Sequence, residues 1–205
     1  MTLDRDLMQT IIQRYPRSRS AIMPLLHYVQ SVSGYVTNEG IETIAELLVI
    51  ETAEVSAVAT FYTQYKRKPV GEYHVGVCTN TLCAVMGGDA IFSALKDHLG
   101  VENDGVTADG KVSLEHIECN AACDYAPVVM ANWEFYDNQT VESAKALVDG
   151  ARAGNPPAPT RGPKKLVTYK EASAVLAGLD DGLAREGVQA GEATLLGLKL
   201  SKEGK

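Results

Sequence analysis

Apolar residues over the first third of the chain recur every three or four positions, the spacing of a single helix face. Leu7, Ile11 and Tyr15 mark a helix over residues 4–15. Ile22, Leu25, Leu26 and Val29 mark a second, with Ser18 or Ser20 at its start and Gly34 as its stop. Ile41, Ile44, Ala45 and Leu48 mark a third, behind the cap candidates Thr37 and Asn38. Thr52 is placed to cap a fourth that carries Val55, Val58, Ala59 and Tyr62. These stripes read as packing surface, because one apolar face per helix is what a small helical core needs.

The period then shortens to alternation. Tyr73, Val75 and Val77 alternate with His74 and Gly76, which predicts a strand ending at Cys78. Gly88 to Leu99 reads as a helix stopped by Gly100. Residues 112–118 predict a second strand ending at Cys119, and Val128 to Trp133 a third. Glu134-Phe135-Tyr136 extends that strand or follows it through a turn. Asp137-Asn138-Gln139 is turn material, and Thr140 can cap a last helix carrying Val141, Ala144, Leu147 and Val148. Strand, helix, strand, strand, helix is an α/β layer arrangement of about 80 residues.

Charge divides the chain in the same places. Residues 1–68 balance seven basic against seven acidic side chains, whereas residues 69–151 carry three basic against thirteen acidic, a net of −10. Residues 152–205 carry nine basic and six acidic, a net of +3. They also hold 8 of the 18 glycines, 4 of the 8 prolines and, of the aromatics, Tyr169 alone, too little apolar bulk to offset the entropy of ordering. The expected organisation is therefore a helical domain (1–68), an acidic α/β domain (69–151) and a Gly/Pro-rich tail (152–205) that packs on a partner. The tail opens with the linker Gly154-Asn155-Pro156-Pro157-Ala158-Pro159 and has room for a short helix near 168–177. The whole chain is 45% apolar with a net charge of −7, an ordinary globular balance. No apolar run of about 18 residues is present to span a membrane, and no basic stripe to hold nucleic acid. The first ten residues lack the charged-then-apolar order of a secretion signal, so a cytoplasmic chain with reduced cysteines is expected.

The four cysteines fall in the acidic region, at loops that follow strands. Cys78 and Cys83 have four residues between them; after 35 more come Cys119 and Cys123, with three residues between them. Two close pairs on two loops can converge at one end of a sheet, and four thiolates there suit zinc or iron–sulfur. Both spacings fit structural zinc. Zinc, however, staples domains too small to hold a core, and this region has its own sheet and helices. The small polar loop Thr79-Asn80-Thr81, with Gly87-Gly88 soon after, can aim backbone N–H groups at cluster sulfurs. Four ligands hold one [2Fe–2S] cluster with a cysteine pair on each iron. His27, His74, His98 and His116 do not cluster and read as surface or half-buried side chains. There is no Gly-rich phosphate loop and no nucleophile motif, so no NADH or flavin site is visible in this chain. Asp124 and the run Lys66-Arg67-Lys68 read as solvated charge.

At these residues the sequence resembles a known family, the E subunits of bacterial NADH–quinone oxidoreductases (respiratory complex I). The resemblance is carried by Leu25-Leu26-His27-Tyr28-Val29-Gln30, Val58-Ala59-Thr60-Phe61-Tyr62, Val77-Cys78 with Cys83, Glu118-Cys119 with Ala122-Cys123, and Ala126-Pro127. It runs over residues 18–150 and more loosely into the tail. It implies an α/β (α+β) fold, an N-terminal helical bundle followed by a thioredoxin-like [2Fe–2S] ferredoxin domain, with Cys78, Cys83, Cys119 and Cys123 as ligands of one [2Fe–2S] cluster. It implies an electron-transfer subunit of the NADH-oxidising module, a partner F subunit that binds FMN and NADH, and an iron–sulfur G subunit alongside. The expected place is peripheral, on the cytoplasmic side of the inner membrane, with no inserted segment. The small subunits of NAD-linked hydrogenases and formate dehydrogenases share the cysteine pattern and stay open as an alternative. A zinc-stapled interaction module without redox activity is the alternative of another class. One departure stands out: the family usually has glycine where this chain has Ala121, which would be strained if the position needs a positive φ.

Overall fold

The computed structural model describes residues 2–183 and 185–204. In chain order the helices are α1 (Arg5–Ile12), α2 (Ile22–Ser33), α3 (Asn38–Leu48), α4 (Thr52–Phe61), α5 (Thr81–Val85), α6 (Gly88–Leu99), α7 (Val141–Arg152), α8 (Tyr169–Leu176) and α9 (Glu192–Lys202). The strands are β1 (Tyr73–Cys78), β2 (Gly105–Val106), β3 (Val112–Ile117), β4 (Val129–Ala131) and β5 (Glu134–Tyr136). The chain divides into two compact units, Met1–Val70 with Thr168–Asp181, and Gly71–Val167 with Gly182–Lys205.

The first unit is helical. Asp4 caps α1 by accepting from the backbone N–H groups of Asp6 and Leu7, and Thr37 caps α3 by accepting from that of Gly40. Gly34 ends α2 in the left-handed region at φ 82°. The cap of α4 is Glu51 and not Thr52: the Glu51 N–H donates to the Glu54 carboxylate, closing a reciprocal box. The α1 helix stops before Tyr15, where Arg14 and Tyr15 donate to carbonyls three residues back and tighten the chain into turns. Met8, Ile11, Leu25, Leu26, Ile44 and Val55 are fully buried at the centre of this core.

The helix expected in the Gly/Pro-rich region forms as α8 and packs within this same unit on α2. Its Tyr169, 1% exposed, donates its hydroxyl to Gln30 Oε1 at 2.9 Å. Gln30 Oε1 also accepts from the Lys66 N–H, and Gln30 Nε2 donates to the Gln64 carbonyl. A buried amide satisfied on both ends joins α2, α8 and the stretch of chain after α4. Arg14 adds a bond to the Gly178 carbonyl, and Lys170 one to that of Val32.

The second unit is built on the sheet, whose described strands run in the order β2-β3-β1-β4-β5. The central strand β1 is buried along its whole length. It pairs in parallel with β3, Tyr73 against Val112 through Cys78 against Ile117, and antiparallel with β4. β4 and β5 form a hairpin, so residues 134–136 follow the third strand through a turn and do not extend it. Val75, Val77, Leu114 and Val129 pack against Ile91 and Leu95 of α6 and Leu147 and Val148 of α7. The bonds of the sheet interior are supplemented by Asn132, which accepts from the His74 N–H and donates to the Val167 carbonyl. His74 is buried between Ser113 and Glu115, at 2.8 Å from each, so it lies deeper than its place in an alternating strand implied. Among the described residues no helix is long and apolar enough to cross a membrane.

His27 also lies deeper than expected, 5% exposed on α2 with its ring 4.8 Å from that of Tyr65. Burial disfavours the imidazolium and lowers its pKa from 6.5 to about 4. Between those values the unfolded chain binds a proton that the folded chain does not, so stability falls as the pH falls through this window. The loss specific to His27 is about 2 kcal/mol at pH 5, rising to about 3 near pH 4. Urea unfolding of the full chain at stepped pH should show it as a slope that is shallower by this amount in His27→Gln; parallel slopes would refute it.

Candidate metal centre

Parallel pairing brings the carboxyl ends of β1 and β3 to the same edge of the sheet. Cys78 is the last residue of β1, opposite Ile117, and Cys119 follows two residues beyond that partner. From Cys78 the chain turns into α5, whose short helix carries Cys83. From Cys119 it runs through Ala121 and Ala122 into a single turn of tight helix, Cys123–Tyr125. Cys78 and Cys83 are buried, Cys119 and Cys123 exposed, and none of the four is bridged in a disulfide.

The loops are held at their roots. Asn80 Nδ2 donates to the Ile117 carbonyl at 3.1 Å and so ties the first cysteine loop to the start of the second. The Cys78 N–H donates to the Val128 carbonyl at 3.1 Å. Gly88, the first residue of α6, sits so close behind the first loop that a Cβ there would stand 2.5 Å from the Cys78 carbonyl oxygen and 2.9 Å from that of Cys83. In the sheet, a Cβ at Gly76 would stand 2.6 Å from Ile117 Cγ2, so the glycine lets the two strands carry the loops at this separation. Cys78, Cys83, Ala122, Ala126 and Val128 form a small apolar cluster with Ile117 and Phe135 against it.

The thiols meet as two pairs. Burial pushes the Cys83 thiol up to about 11, against a backbone bond from Val128, with Cys78 and Cys123 adding in the same direction. Cys123 is raised first by its hydrogen bond to Cys119, then by that group's charge, by burial, and by Cys78 and Asp124. Cys83 thus feels Cys78 of its own loop and Cys123 of the other, and Cys123 feels Cys119 and, across the loops, Cys78. Among the described residues no three His, Cys, Asp or Glu side chains stand in the arrangement of a single-ion site. Two cysteine pairs on neighbouring loops, rather than four thiols gathered on one point, are the donor set a two-iron centre needs, one pair to each iron. The loops also offer donors to anionic sulfur. The Ala121 N–H points at Cys119 Sγ at 3.4 Å. Asn120 Nδ2 is buried and makes no hydrogen bond among the described residues. The residues present therefore fit the [2Fe–2S] group. The histidines stay apart from it: His98 pairs with Asp149, and His116 stands against Phe92.

The sequence offered all four cysteines as candidates, and the structure sets them on two neighbouring loops; the sequence did not show Asn80 as the tie between the loops, nor α5, which is too short to leave a period. Ala121 lies at φ 54°, in the left-handed region that the departure from glycine made suspect. Ala121→Gly removes that strain and should raise stability by about 0.5–1 kcal/mol, net of the extra unfolded-state freedom, with the denaturation midpoint as the measurement. Gly88→Ala forces a methyl against two backbone carbonyls and should cost about 1–3 kcal/mol, with weaker metal retention, since carbonyl oxygens cannot swing aside as a side chain can. Wild-type retention in Gly88→Ala would show that this approach is not needed.

Comparison with known proteins places the chain. The family model described as thioredoxin-like [2Fe–2S] ferredoxin matches residues 8–152. The chain is 59% identical over 194 residues to the E subunit of the NADH-quinone oxidoreductase of Mycobacterium tuberculosis, covering 94% of this chain and 77% of that one. It is 42% identical over 150 residues to the E subunit from Rickettsia bellii, covering 72% of this chain and 90% of that one. The fold resembles a chain in the crystal structure of an NAD+-reducing [NiFe]-hydrogenase in the air-oxidized state, with TM-score 0.57 and 18% identity over 66% of this chain and 23% of that one. The chain belongs to the thioredoxin-like [2Fe–2S] ferredoxin family and, within it, to the E subunits of NADH–quinone oxidoreductases.

Proposed function

We propose that this chain is an electron-transfer subunit of the NADH-oxidising module of an NADH–quinone oxidoreductase, with Cys78, Cys83, Cys119 and Cys123 holding one [2Fe–2S] cluster. The observation that carries this reading is that the two cysteine loops leave β1 and β3 side by side at one edge of the sheet. When bound, the cluster accepts and returns one electron at a time. The protein's part is to give up thiol protons on binding, to fix two sulfur pairs through Asn80 and Gly88, and to direct N–H groups at sulfur. Cys83 and Cys123, held above their usual pKa, would bind metal with release of protons.

The partners follow from exposure. The Cys119–Cys123 side is open, and Leu82, Val85 and Met86 beside Cys83 stand 43%, 79% and 56% exposed. Apolar side chains left uncovered next to a redox site mark a surface for a protein partner. We assign to that surface the F subunit, which carries FMN and NADH, with electron exchange between its flavin and this centre, and an iron–sulfur G subunit alongside. The exposed leucines of α9, Leu195, Leu196, Leu198 and Leu200, give the tail its own partner face. The assembly would stand on the cytoplasmic side of the membrane. A small subunit of an NAD-linked hydrogenase is the second reading, supported by fold alone, whereas the 59% identity supports the first.

Anaerobically prepared chain should show charge-transfer absorption between about 400 and 600 nm, with two iron and two sulfide per chain. Serine in place of any one of the four cysteines should cut bound iron and acid-labile sulfide to below about half, because a hydroxyl is a harder and poorer ligand. A colourless chain with stoichiometric zinc, or full loading in two or more of the serine variants, would overturn the reading.

A further inference from the structure

The C-terminal segment returns to the second cysteine loop. Within the sheet-bearing unit its two stretches hold each other: the Gly162 N–H donates to the Val188 carbonyl at 3.0 Å, and the Lys164 N–H to the Glu186 carboxylate at 3.4 Å. The Thr160 N–H donates to the Phe135 carbonyl, and the Thr160 hydroxyl to Asp137 Oδ2, both at 2.9 Å. These bonds fix the residue that follows. The Arg161 guanidinium lies 2.9 Å from Asp137 Oδ1, 4.1 Å from the centre of the Phe135 ring and 5.4 Å from that of Tyr125. Its side chain is 16% exposed, and that of Asp137 is 9%.

Both rings lead to the cysteines. Phe135 packs against the apolar cluster that contains Cys78 and Cys83. Tyr125 is two residues past Cys123, at the end of the same tight turn. It is gripped elsewhere as well. Its carbonyl accepts from the Asn138 N–H at 2.8 Å, and its hydroxyl from the Ala193 N–H at 3.1 Å, in the first turn of α9. A Cβ at Gly191 would stand 2.2 Å from that hydroxyl, so the glycine allows the approach. The Thr194 hydroxyl donates to Asp124, the residue after Cys123.

We propose that Arg161 is a positioning residue for the metal centre: it locks the Phe135 and Tyr125 rings and, through them, sets the geometry of Cys123 and of the buried cysteine pair. The proposal rests on the four-cysteine reading above. A guanidinium suits the task because it is planar, stacks on aromatic faces and sheds water more readily than an ammonium. Without it, Asp137 becomes a buried carboxylate with no cation, and the two rings lose the plate between them. The second loop then samples other conformations, and its thiolates leave iron more readily.

The test uses the full chain carrying its reconstituted iron and sulfide, challenged with the chelator EDTA under anaerobic conditions. Arg161→Gln should load normally, lose iron about tenfold faster, equivalent to about 1.4 kcal/mol, and shift the electron paramagnetic resonance g-values of the reduced centre. Arg161→Lys, which keeps the charge without the plane, should fall between the two. Lys165→Gln removes an exposed charge four residues along the same stretch and should behave as wild type. Wild-type loss rate and spectrum in Arg161→Gln, or an equal effect of Lys165→Gln, would overturn the proposal while leaving the four-cysteine reading intact. A wild-type chain that takes up no iron and sulfide overturns both. If Arg161→Gln does not fold, Arg161→Lys decides: it keeps the cation for Asp137 and removes the plane over the two rings, so faster iron loss than wild type supports the lock and a wild-type rate refutes it.

Discussion

The parallel pairing of β1 with β3 is the constraint on which the rest of this structure depends. A parallel ladder puts the carboxyl ends of both strands at one edge, and the register of Cys78 against Ile117 puts Cys119 just beyond it. Parallel neighbours also need a crossover, and the chain supplies it with α6, which covers the face formed by Val75, Val77 and Leu114. The strand β1 can be buried throughout because β3 and β4 flank it and its inward residues are valines. A slip of one residue between β1 and β3 would turn Cys78 to the other face and separate the thiol pairs.

Around that edge the protein spends backbone freedom to bring polar and sulfur atoms close. Gly76 lets Ile117 lie against β1, and Gly88 lets α6 start directly behind the first loop. Ala121 holds a left-handed φ without glycine's freedom, next to Ala122, which is buried in the small apolar cluster with Cys78 and Cys83. The Cys83 and Cys123 thiols are both raised above their usual range, Cys83 first by burial and Cys123 first by Cys119, so binding of a metal centre there would release protons. The site is gripped from several directions, by Asn80, by the Val128 backbone and by the segment bearing Arg161.

The Gly/Pro-rich region shows how a sequence poor in apolar bulk can still be ordered. Its aromatic residue, Tyr169, serves as an anchor in the helical unit through Gln30. Elsewhere the region uses backbone bonds and one stacked cation in place of a core: Thr160 to Phe135, Gly162 to Val188, Arg161 on two rings. Such contacts order a chain that cannot bury enough of itself, because the surface they use is already folded.

The sequence by itself determined the elements long enough to carry a period and the chemistry that spacing encodes. Helices α2, α3, α6 and α7, with the caps Thr37, Thr140, Gly34 and Gly100, lie where their apolar stripes and cap residues put them. The four cysteines stood out as a candidate set because they come as two close pairs, each just after a strand. Tertiary structure alone decided the rest. The five-residue α5 and the two-residue β2 are too short to show any period, and α9 buries no face that would impose one. The Asn132-Trp133 turn, both residues at positive φ, separates β4 from β5 because Asn132 is held by the His74 backbone far along the chain. His27, His74, Asn80 and Arg161 took their roles from neighbours 24 or more positions away, 38 for Tyr65 against His27, 37 for Ile117 against Asn80 and 24 for Asp137 against Arg161. Local pattern records which face of an element is apolar; which distant group meets a polar side chain is set only when the elements pack.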